Sequence, residues 1–230
     1  MFHTFLIGLL VTFGPPSSPA PHGPLHLSPA DGWAQDAPVD STVTRWVLSS
    51  QGSEARYRVR EQLAGFDFPN DAVGATGEVT GAIVLDPEGA IVPDKSEFRV
   101  RLSSLTTDNE RRDGYVQGRT LEVDLYPEAV LVPRRFTNLP HPLPESGPVS
   151  FQLEAELTLH GLTRTTLWEV TAEFGPQAIT GLATTAFAFD TFGIALPRVA
   201  RVLSVEDNIR LELEFRVVPE GGQDPMPLLR

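Results

Sequence analysis

The stretch VSFQLEAELTLHGLT, residues 149–163, alternates strictly between apolar and polar side chains over its first twelve positions. Apolar residues stand at every second position from Val149 to Leu159, and polar residues fill the positions from Ser150 to His160. Because successive side chains of a β-strand point to opposite faces, this period of two predicts one long strand with an apolar face. That face must be covered, either by the rest of the protein or by a guest molecule.

The same period recurs along most of the chain between about residues 42 and 219. The clearest further strands are EARYRVREQL (54–63), SEFRVRL (96–102), TLEVDLYP (120–127), TTLWEVTAEF (165–174) and NIRLELEFRVV (208–218), and weaker candidates are TRWVLSS (44–50), EVTGAIVL (78–85), AVLVPRRF (129–136) and GLATTAFAF (181–189). Turn-forming residues such as Asp86–Gly89 and His160–Gly161 separate them. Eight to ten short strands predict an all-β antiparallel sandwich or barrel.

One segment departs from the period of two. In TTDNERRDGYVQG, residues 106–118, Thr107 stands three residues before Glu110, which is the spacing of a capping box at a helix N-terminus. Gly114 and Gly118 disfavour a long helix, so one or two turns are expected.

The two ends of the chain differ in composition from the region between them. Residues 1–40 contain the apolar run FLIGLLVTF at 5–13, which has the length of a signal-peptide core and is too short to span a bilayer, followed by a Pro-rich stretch. We interpret 1–40 as a signal peptide and Pro-rich leader, although the start lacks Lys and Arg and a disordered tail is the alternative. Residues 41–219 form the predicted barrel domain, and 220–230 a disordered tail.

Charge and cysteine content exclude several function classes. The chain of 230 residues has a net charge of −12, which argues against binding a nucleic-acid backbone and against electrostatic docking on anionic lipid. It has no cysteine, which excludes disulfides, Cys-ligated zinc and iron–sulfur clusters. No G-x-S-x-G or H-E-x-x-H motif stands in it. We therefore expect no catalytic residue, no metal and no cofactor, and hence no enzyme.

Three signatures, in their proper order, resemble the YceI-like family over about residues 42–218. In TTDNERRDGYVQGRTLEVDLYPEAVL (106–131), a Thr and an Asn precede an Arg-Asp pair, and a Tyr-Pro follows about a dozen residues later. AELTLHGLTRT (155–165) matches a second signature, and DTFGI (190–194) followed by LSVEDNIRLELEF (203–215) matches a third. The chain departs from the family pattern at Tyr115-Val116, where the family has His-Leu, and at Ala188-Phe189.

The resemblance implies an antiparallel, lipocalin-like barrel of eight or slightly more strands with one short helix. It also implies a periplasmic or secreted protein that holds an isoprenoid or quinone-type lipid in the barrel for transport or sequestration. Transient membrane contact for lipid exchange is compatible with this function, and the oligomeric state is left open. The alternative is a structural or protein-interaction module whose barrel is filled and holds no ligand, because eight strands enclose either packed side chains or one small guest.

The alternation itself selects the apolar residues that face inward. As candidate ligand-binding residues we take Tyr57, Val59, Phe98, Val100, Leu102, Phe151, Leu153, Trp168, Val170, Phe174, Leu211, Leu213 and Phe215. Plain core is the alternative for each of them.

Three polar residues of the signatures also need a role. We expect His160 to fix its turn by a hydrogen bond to a backbone group. Arg112 and Asp113 either hold the short helix to the barrel or orient a ligand head group. Since neighbours on a helix point apart, each must find its own partner, and the structural role is preferred.

Overall fold

The computed structural model of the protein describes residues 43–65, 67–200 and 202–221. The predicted leader at 1–40 lies outside these residues, as does the tail beyond Gly221. The described segments form β1 (Thr44–Leu48), β2 (Glu54–Leu63), β3 (Asn70–Thr76), β4 (Val79–Leu85), β5 (Glu97–Arg101), α1 (Glu110–Tyr115), β6 (Glu128–Thr137), β7 (Gly147–Leu159), β8 (Leu162–Phe174), β9 (Ile179–Phe187) and β10 (Val202–Pro219). In these ranges no helix is long and apolar enough to span a bilayer.

The strands close into an antiparallel barrel, as predicted. The order around the ring is β1, β4, β5, β6, β7, β8, β9 and β10, and β10 returns to β1 through the pairs Trp46–Pro219 and Leu48–Val217. The remaining two strands, β2 and β3, extend the sheet from the same edge of β10, on the N-terminal side of its pairing with β1. The result is an eight-stranded barrel with a two-stranded extension and one short helix.

Strand β7, which contains most of the stretch 149–163, shows how the alternation builds the wall. Leu153, Ala155, Leu157 and Leu159 are buried, while the polar residues between them are only half-buried. The hairpin with β8 pairs all thirteen residues of each strand, for example Leu153 with Trp168. Because a slip of one residue would turn every apolar side chain outward, this pattern fixes the register.

One end of the barrel is filled by large side chains. Phe174 and Ile179 face each other across β8 and β9, and both are buried. One strand further, Phe151 contacts Phe136 edge to face, with ring centroids 5.3 Å apart. We call this the filled end, and the opposite end, where β7 meets β8 and β5 leads into α1, the open end.

Three glycines on the strands lie directly opposite an aromatic residue of the neighbouring strand. The pairs are Tyr57–Gly74, Phe98–Gly81 and Phe215–Gly181. At each glycine an added Cβ would lie within 2.6 Å of an atom of the ring. The rings therefore lie over bare backbone, which compensates for the missing side chains and pins the register of three strand pairs.

Two predictions about local structure are wrong. The segment TLEVDLYP is not a strand, because its backbone N–H groups bond locally: Leu121 donates to the Val116 carbonyl and Val123 to the Gln117 carbonyl, both in the π-helical turn Val116–Thr120. Nor is Thr107 the cap of α1.

The N-cap of α1 is Asn109, whose Oδ1 accepts hydrogen bonds from the backbone N–H groups of Arg111 and Arg112 at 3.0 and 3.3 Å. Thr107 Oγ1 instead accepts from the Asn109 N–H at 3.1 Å and donates to the Asp113 carboxylate at 2.6 Å. The spacing of Thr107 and Glu110 thus marked the helix start two residues too early.

Gly181→Ala should destabilise the barrel by about 1–3 kcal/mol, because the new Cβ would lie 2.4 Å from the Thr171 carbonyl oxygen and 2.6 Å from Phe215 Cζ. Urea unfolding at neutral pH measures this change. Gly114→Ala in α1, where nothing lies within 4 Å of an added Cβ, is the control and should not destabilise. Equal stabilities of wild type and Gly181→Ala would contradict the proposed tight ring–glycine contact.

Candidate functional site

The open end of the barrel contains a cavity of about 650 Å³. This volume is typical of small-molecule sites, which span about 300–1,000 Å³. Most of its wall is aliphatic or aromatic. The apolar wall consists of Ala55, Tyr57, Val59, Leu63, Ala64, Ala72, Val79, Phe98, Val100, Leu102, Leu105, Val116, Leu121, Ala129, Leu131, Leu157, Leu159, Trp168, Phe189, Ile194, Pro197, Val199, Ala200, Val202, Val205, Ile209, Leu211 and Leu213.

The loops of the open end form the mouth of this cavity. α1 and the π-helical turn after it supply Tyr115, Val116 and Leu121, and the segment between β9 and β10 supplies Pro197 and Val199. Sequence reasoning missed these residues, because loops carry no period that would mark a lining residue. The alternative, a barrel filled by its own side chains, therefore applies only to the filled end.

Eight of the thirteen predicted lining residues lie on the cavity wall. They are Tyr57, Val59, Phe98, Val100, Leu102, Trp168, Leu211 and Leu213. The indole N–H of Trp168 donates to Thr166 Oγ1 at 2.9 Å, and that hydroxyl donates to the Ala155 carbonyl at 3.1 Å. This buried chain of hydrogen bonds fixes the orientation of the indole in the wall.

The other five predicted residues do not line the cavity. Phe151, Leu153, Val170, Phe174 and Phe215 belong to the hydrophobic core or pack against it. They face inward as the alternation predicts, but they lie toward the filled end. On β7 the residues that line the cavity are Leu157 and Leu159, the last two apolar positions of the stretch 149–159, which the same alternation could have identified.

A buried ion-pair network lies where α1 meets β2. Arg112 Nη2 donates to Glu61 Oε1 at 2.9 Å, and Arg112 Nη1 also binds Asp108. The side chains of Arg112 and Glu61 are only 20% and 9% exposed, and both residues line the cavity. Because exposure is low, removing either partner would leave a charge poorly solvated.

Arg112 and Asp113, the Arg-Asp pair of the first signature, therefore bind different partners. Asp113 Oδ1 accepts hydrogen bonds from the Thr107 backbone N–H at 2.8 Å and from its hydroxyl at 2.6 Å, which closes the loop before α1. Arg112 binds α1 to β2 at the cavity wall. The preferred structural role agrees with these contacts, and Arg112 also lies where it can face a guest.

Tyr57 carries an unusual polar atom of the wall. Its hydroxyl is buried, and no residue in the described ranges gives it a hydrogen-bond partner. Burial raises the pKa of Tyr57 to about 12, an effect that the nearby Arg112 guanidinium opposes. The phenol is therefore neutral at physiological pH.

Of the other charged groups of the wall, Arg56 and Glu212 are paired, whereas Arg111 has no carboxylate partner among the described residues. Arg56 binds both Glu54 and Glu214, and Glu212 accepts from Arg58 Nε at 2.8 Å. Across the described ranges, no group of three or more His, Asp or Glu side chains is placed to hold a metal ion.

His160 joins two loops at the open end. Its Nδ1 lies 3.3 Å from the Phe192 carbonyl oxygen, which is the expected contact with a backbone group, and its Nε2 lies 2.8 Å from Glu122 Oε2. His160 and Glu122 both have positive φ angles, 50° and 48°. The ring also packs edge to face on Tyr126. The second signature thus fastens the segment after α1 to the barrel.

Comparison with known proteins agrees with this architecture. The family model for the YceI-like domain matches residues 46–217, which confirms the resemblance seen in the three signatures. No curated protein gives a significant match to the chain.

Solved structures share the fold at low sequence identity. A polyisoprenoid-binding domain from Saccharophagus degradans, implicated in plant cell wall breakdown, superposes with a TM-score of 0.60 at 12% identity, covering 76% of this chain and 98% of its own. BcnA from Burkholderia cenocepacia gives 0.55 at 14% identity, covering 74% and 99%. The YceI protein of Campylobacter jejuni gives 0.51 at 15% identity, covering 67% and 88%.

His160→Ala should destabilise the protein by about 1–3 kcal/mol, because both hydrogen bonds are lost while the positive φ of the wild type is kept. His160→Gly loses the same bonds but tolerates that φ, so it should recover about 1 kcal/mol relative to alanine. Urea unfolding of the two variants side by side measures the difference. Glycine no more stable than alanine would show that the backbone conformation costs nothing here.

Tyr57→Phe should leave stability at neutral pH unchanged or raise it, because it removes a buried hydroxyl that has no partner among the described residues. The stabilisation linked to the raised pKa of Tyr57 is fully present below pH 10. It is lost between pH 10 and about 12, because the phenol of the unfolded chain ionises there while the folded phenol resists ionisation. The loss is about 3 kcal/mol for a shift of this size.

Denaturant unfolding of wild type and Tyr57→Phe from pH 8 to 12 measures this loss as a difference between the two proteins. The difference should appear only above pH 10. An identical alkaline decline in both proteins would contradict a buried phenol.

Proposed function

The chain belongs to the YceI-like family, and from this premise we propose that it is an exported lipid-binding protein that holds a long isoprenoid or quinone-type lipid in its barrel. The observation that carries the proposal is the apolar cavity of about 650 Å³, which is closed at the filled end and lined at its mouth by α1 and the β9–β10 segment. An apolar cavity inside a closed barrel suits a hydrocarbon chain, which needs burial and few directional contacts.

The relatives support the choice of cargo. The Saccharophagus degradans domain, with which this chain shares its fold, is described as polyisoprenoid-binding. The chain of such a lipid is flexible and branched, and the cavity of this protein is lined mainly by Leu, Val, Ile and Ala side chains. Aliphatic walls make many weak dispersion contacts without demanding one shape of guest.

The charges of the wall leave one arginine for a head group. A diphosphate requires arginines that are free to bind it, ideally in bidentate fashion. Arg56 and Arg112, the two half-buried arginines of the wall, are each bound by two carboxylates already, whereas Arg111 lines the cavity without a carboxylate partner among the described residues. A head group placed at the mouth would therefore meet the Arg111 guanidinium, which can donate to a phosphate or to an alcohol or quinone oxygen.

Hydrophobic energy sets the mode of action. Moving an isoprenoid of about 40 carbons from water into protein would release tens of kcal/mol at about 0.8 kcal/mol per CH₂. Real affinities end near −18 to −21 kcal/mol, so such a lipid is not taken from water. It comes from a membrane, and exchange between two apolar surroundings is nearly neutral. A carrier can therefore load and unload, which fits transport or sequestration.

We also propose that the protein is not an enzyme and that it acts in the periplasm or outside the cell. The first rests on the wall, where the described charged residues other than Arg111 are paired with carboxylates or arginines, and on the absence of catalytic motifs in the sequence. The second rests on the apolar run at 5–13.

Val59→Trp should abolish lipid binding, because the larger ring fills the cavity from the wall of β2. Val130→Trp is the matched control: Val130 lies on β6, between the inward Ala129 and Leu131, so its side chain faces outward. Purified proteins from a lipid-replete host are extracted with organic solvent and analysed by mass spectrometry. Wild type and Val130→Trp should yield a prenyl lipid, and Val59→Trp at least about tenfold less.

Circular dichroism and thermal melting show whether each variant is folded. Leu211→Trp, which fills the same cavity from β10, repeats the test if Val59→Trp is unstable. A wild-type extract free of prenyl lipid, or equal yields from all variants, would overturn the proposal.

A further inference from the structure

Four large apolar side chains are exposed on one side of the open end, in the loop between β2 and β3 and in the segment that leads into β10. Phe68 is 81% exposed and Leu203 69%, while Leu196 and Val199 are each 42% exposed. We call these four residues the apolar rim. Exposing one such side chain is ordinary, but several of them beside one opening are typical of an interaction site.

The apolar rim borders the mouth of the cavity. Phe68 lies in the loop between β2 and β3. Leu63 at the end of β2 and Ala64 at the start of this loop line the cavity. Leu63 pairs with Val202, so this hairpin lies beside the start of β10, where Leu203 is found. Leu196 and Val199 belong to the segment that leads into β10.

The apolar surface continues from the outside to the inside. A surface groove is lined by residues between Leu196 and Val205, and of the lining residues that the structure describes only Arg198 and Ser204 are not apolar. Five of them, Pro197, Val199, Ala200, Val202 and Val205, line the inner cavity as well. A hydrocarbon chain moving along this segment would stay in contact with apolar atoms throughout.

We propose that the apolar rim docks on the surface of a lipid bilayer, so that cargo passes between the bilayer and the cavity without crossing water. This inference rests on the proposed function. A bilayer fits better than a protein partner because the rim borders the opening through which a lipid must enter, and because the source of the lipid is itself a membrane. Other exposed leucines, such as Leu167 and Leu182, stand singly on the outer faces of β8 and β9.

The charges near the rim indicate which kind of bilayer surface is bound. The protein has a net charge of −12, and Arg60 of β2 is paired with Asp71 at 3.1 Å. The described rim segments carry one charge of each sign, Asp67 beside Phe68 and Arg198 between Leu196 and Val199 in the sequence. Attraction to anionic lipid is therefore weak, and binding must come from burial of the rim side chains in the interfacial region. Docking should occur on zwitterionic lipid and should change little with salt, in contrast to electrostatic attachment.

Co-flotation with vesicles of phosphatidylcholine alone tests the proposal. The wild-type chain should partition onto the vesicles, and Leu203→Asp and Phe68→Asp should each lower the partition coefficient by about tenfold or more. Leu167→Asp is the matched control: it places the same charge at an exposed leucine away from the mouth, and it should float as the wild type does. No flotation of the wild type, or an equal loss in Leu167→Asp, would overturn the proposal.

A second measurement separates docking from binding. A polyprenol presented in detergent micelles should load Leu203→Asp as fully as the wild type, because the cavity is intact, whereas transfer from vesicles should be at least about tenfold slower in the variant. Failure of every variant and of the wild type to load from micelles would refute the proposed function while the flotation result stands. Sedimentation velocity completes the test: a wild-type dimer that Leu203→Asp dissociates would assign the rim to a second copy and refute docking.

Discussion

The structure depends on the closure of the sheet through β10. This strand of eighteen residues pairs with β9 along one edge and with both β2 and β1 along the other. Because it spans the whole length of the barrel, one strand joins the last part of the sheet to the first and leaves the ring without a free edge. The apolar faces of all eight strands must then share one interior, and the interior can be reached only through its ends.

The contents of that interior follow from the size of the side chains at each level. Toward the filled end, Phe174 belongs to the core, and Phe136, Phe151 and Phe215 pack against it. Toward the open end, several wall positions carry small residues, among them Ala72 and Ala129. Eight strands enclose a space that side chains can only just fill, so small residues at one level leave a cavity there.

The sequence predicted well which side chains face the barrel interior. It did not predict at which level along the barrel axis they lie. Alternation identifies which residues of β7 and β8 face inward, because the period of a strand is fixed by its geometry. It contains no information about the level along the barrel axis, so Phe151 and Trp168 look equivalent although only Trp168 borders the cavity. The level depends on strand register and on neighbours far away in the chain, which a local pattern does not record.

The errors at the mouth have a different cause. Leu121, Val123 and Leu125 alternate as in a strand, yet the chain turns there, with Leu125 exposed and Glu122 at a φ of 48°. A strand needs a partner, and the backbone groups of this segment are instead engaged by the turn that precedes it. Alternating side chains can arise wherever a loop lies along an apolar surface, so the pattern alone favoured the wrong structure.

Polar contacts hold the loops of the mouth in place, and their apolar side chains are left to line the cavity. Apolar surface that is buried between the loops is not available to a guest. Three polar contacts fasten the segment around α1, namely Glu61 with Arg112, Thr107 with Asp113, and Glu122 with His160.

Such contacts are directional and occupy little area, so Val116 and Leu121 can present their side chains to the cavity while their backbone stays fixed. The partly buried pair Glu61–Arg112 carries a desolvation cost that an apolar contact would avoid. The pair nevertheless ties α1 to β2 while Val116 and Leu121 line the cavity.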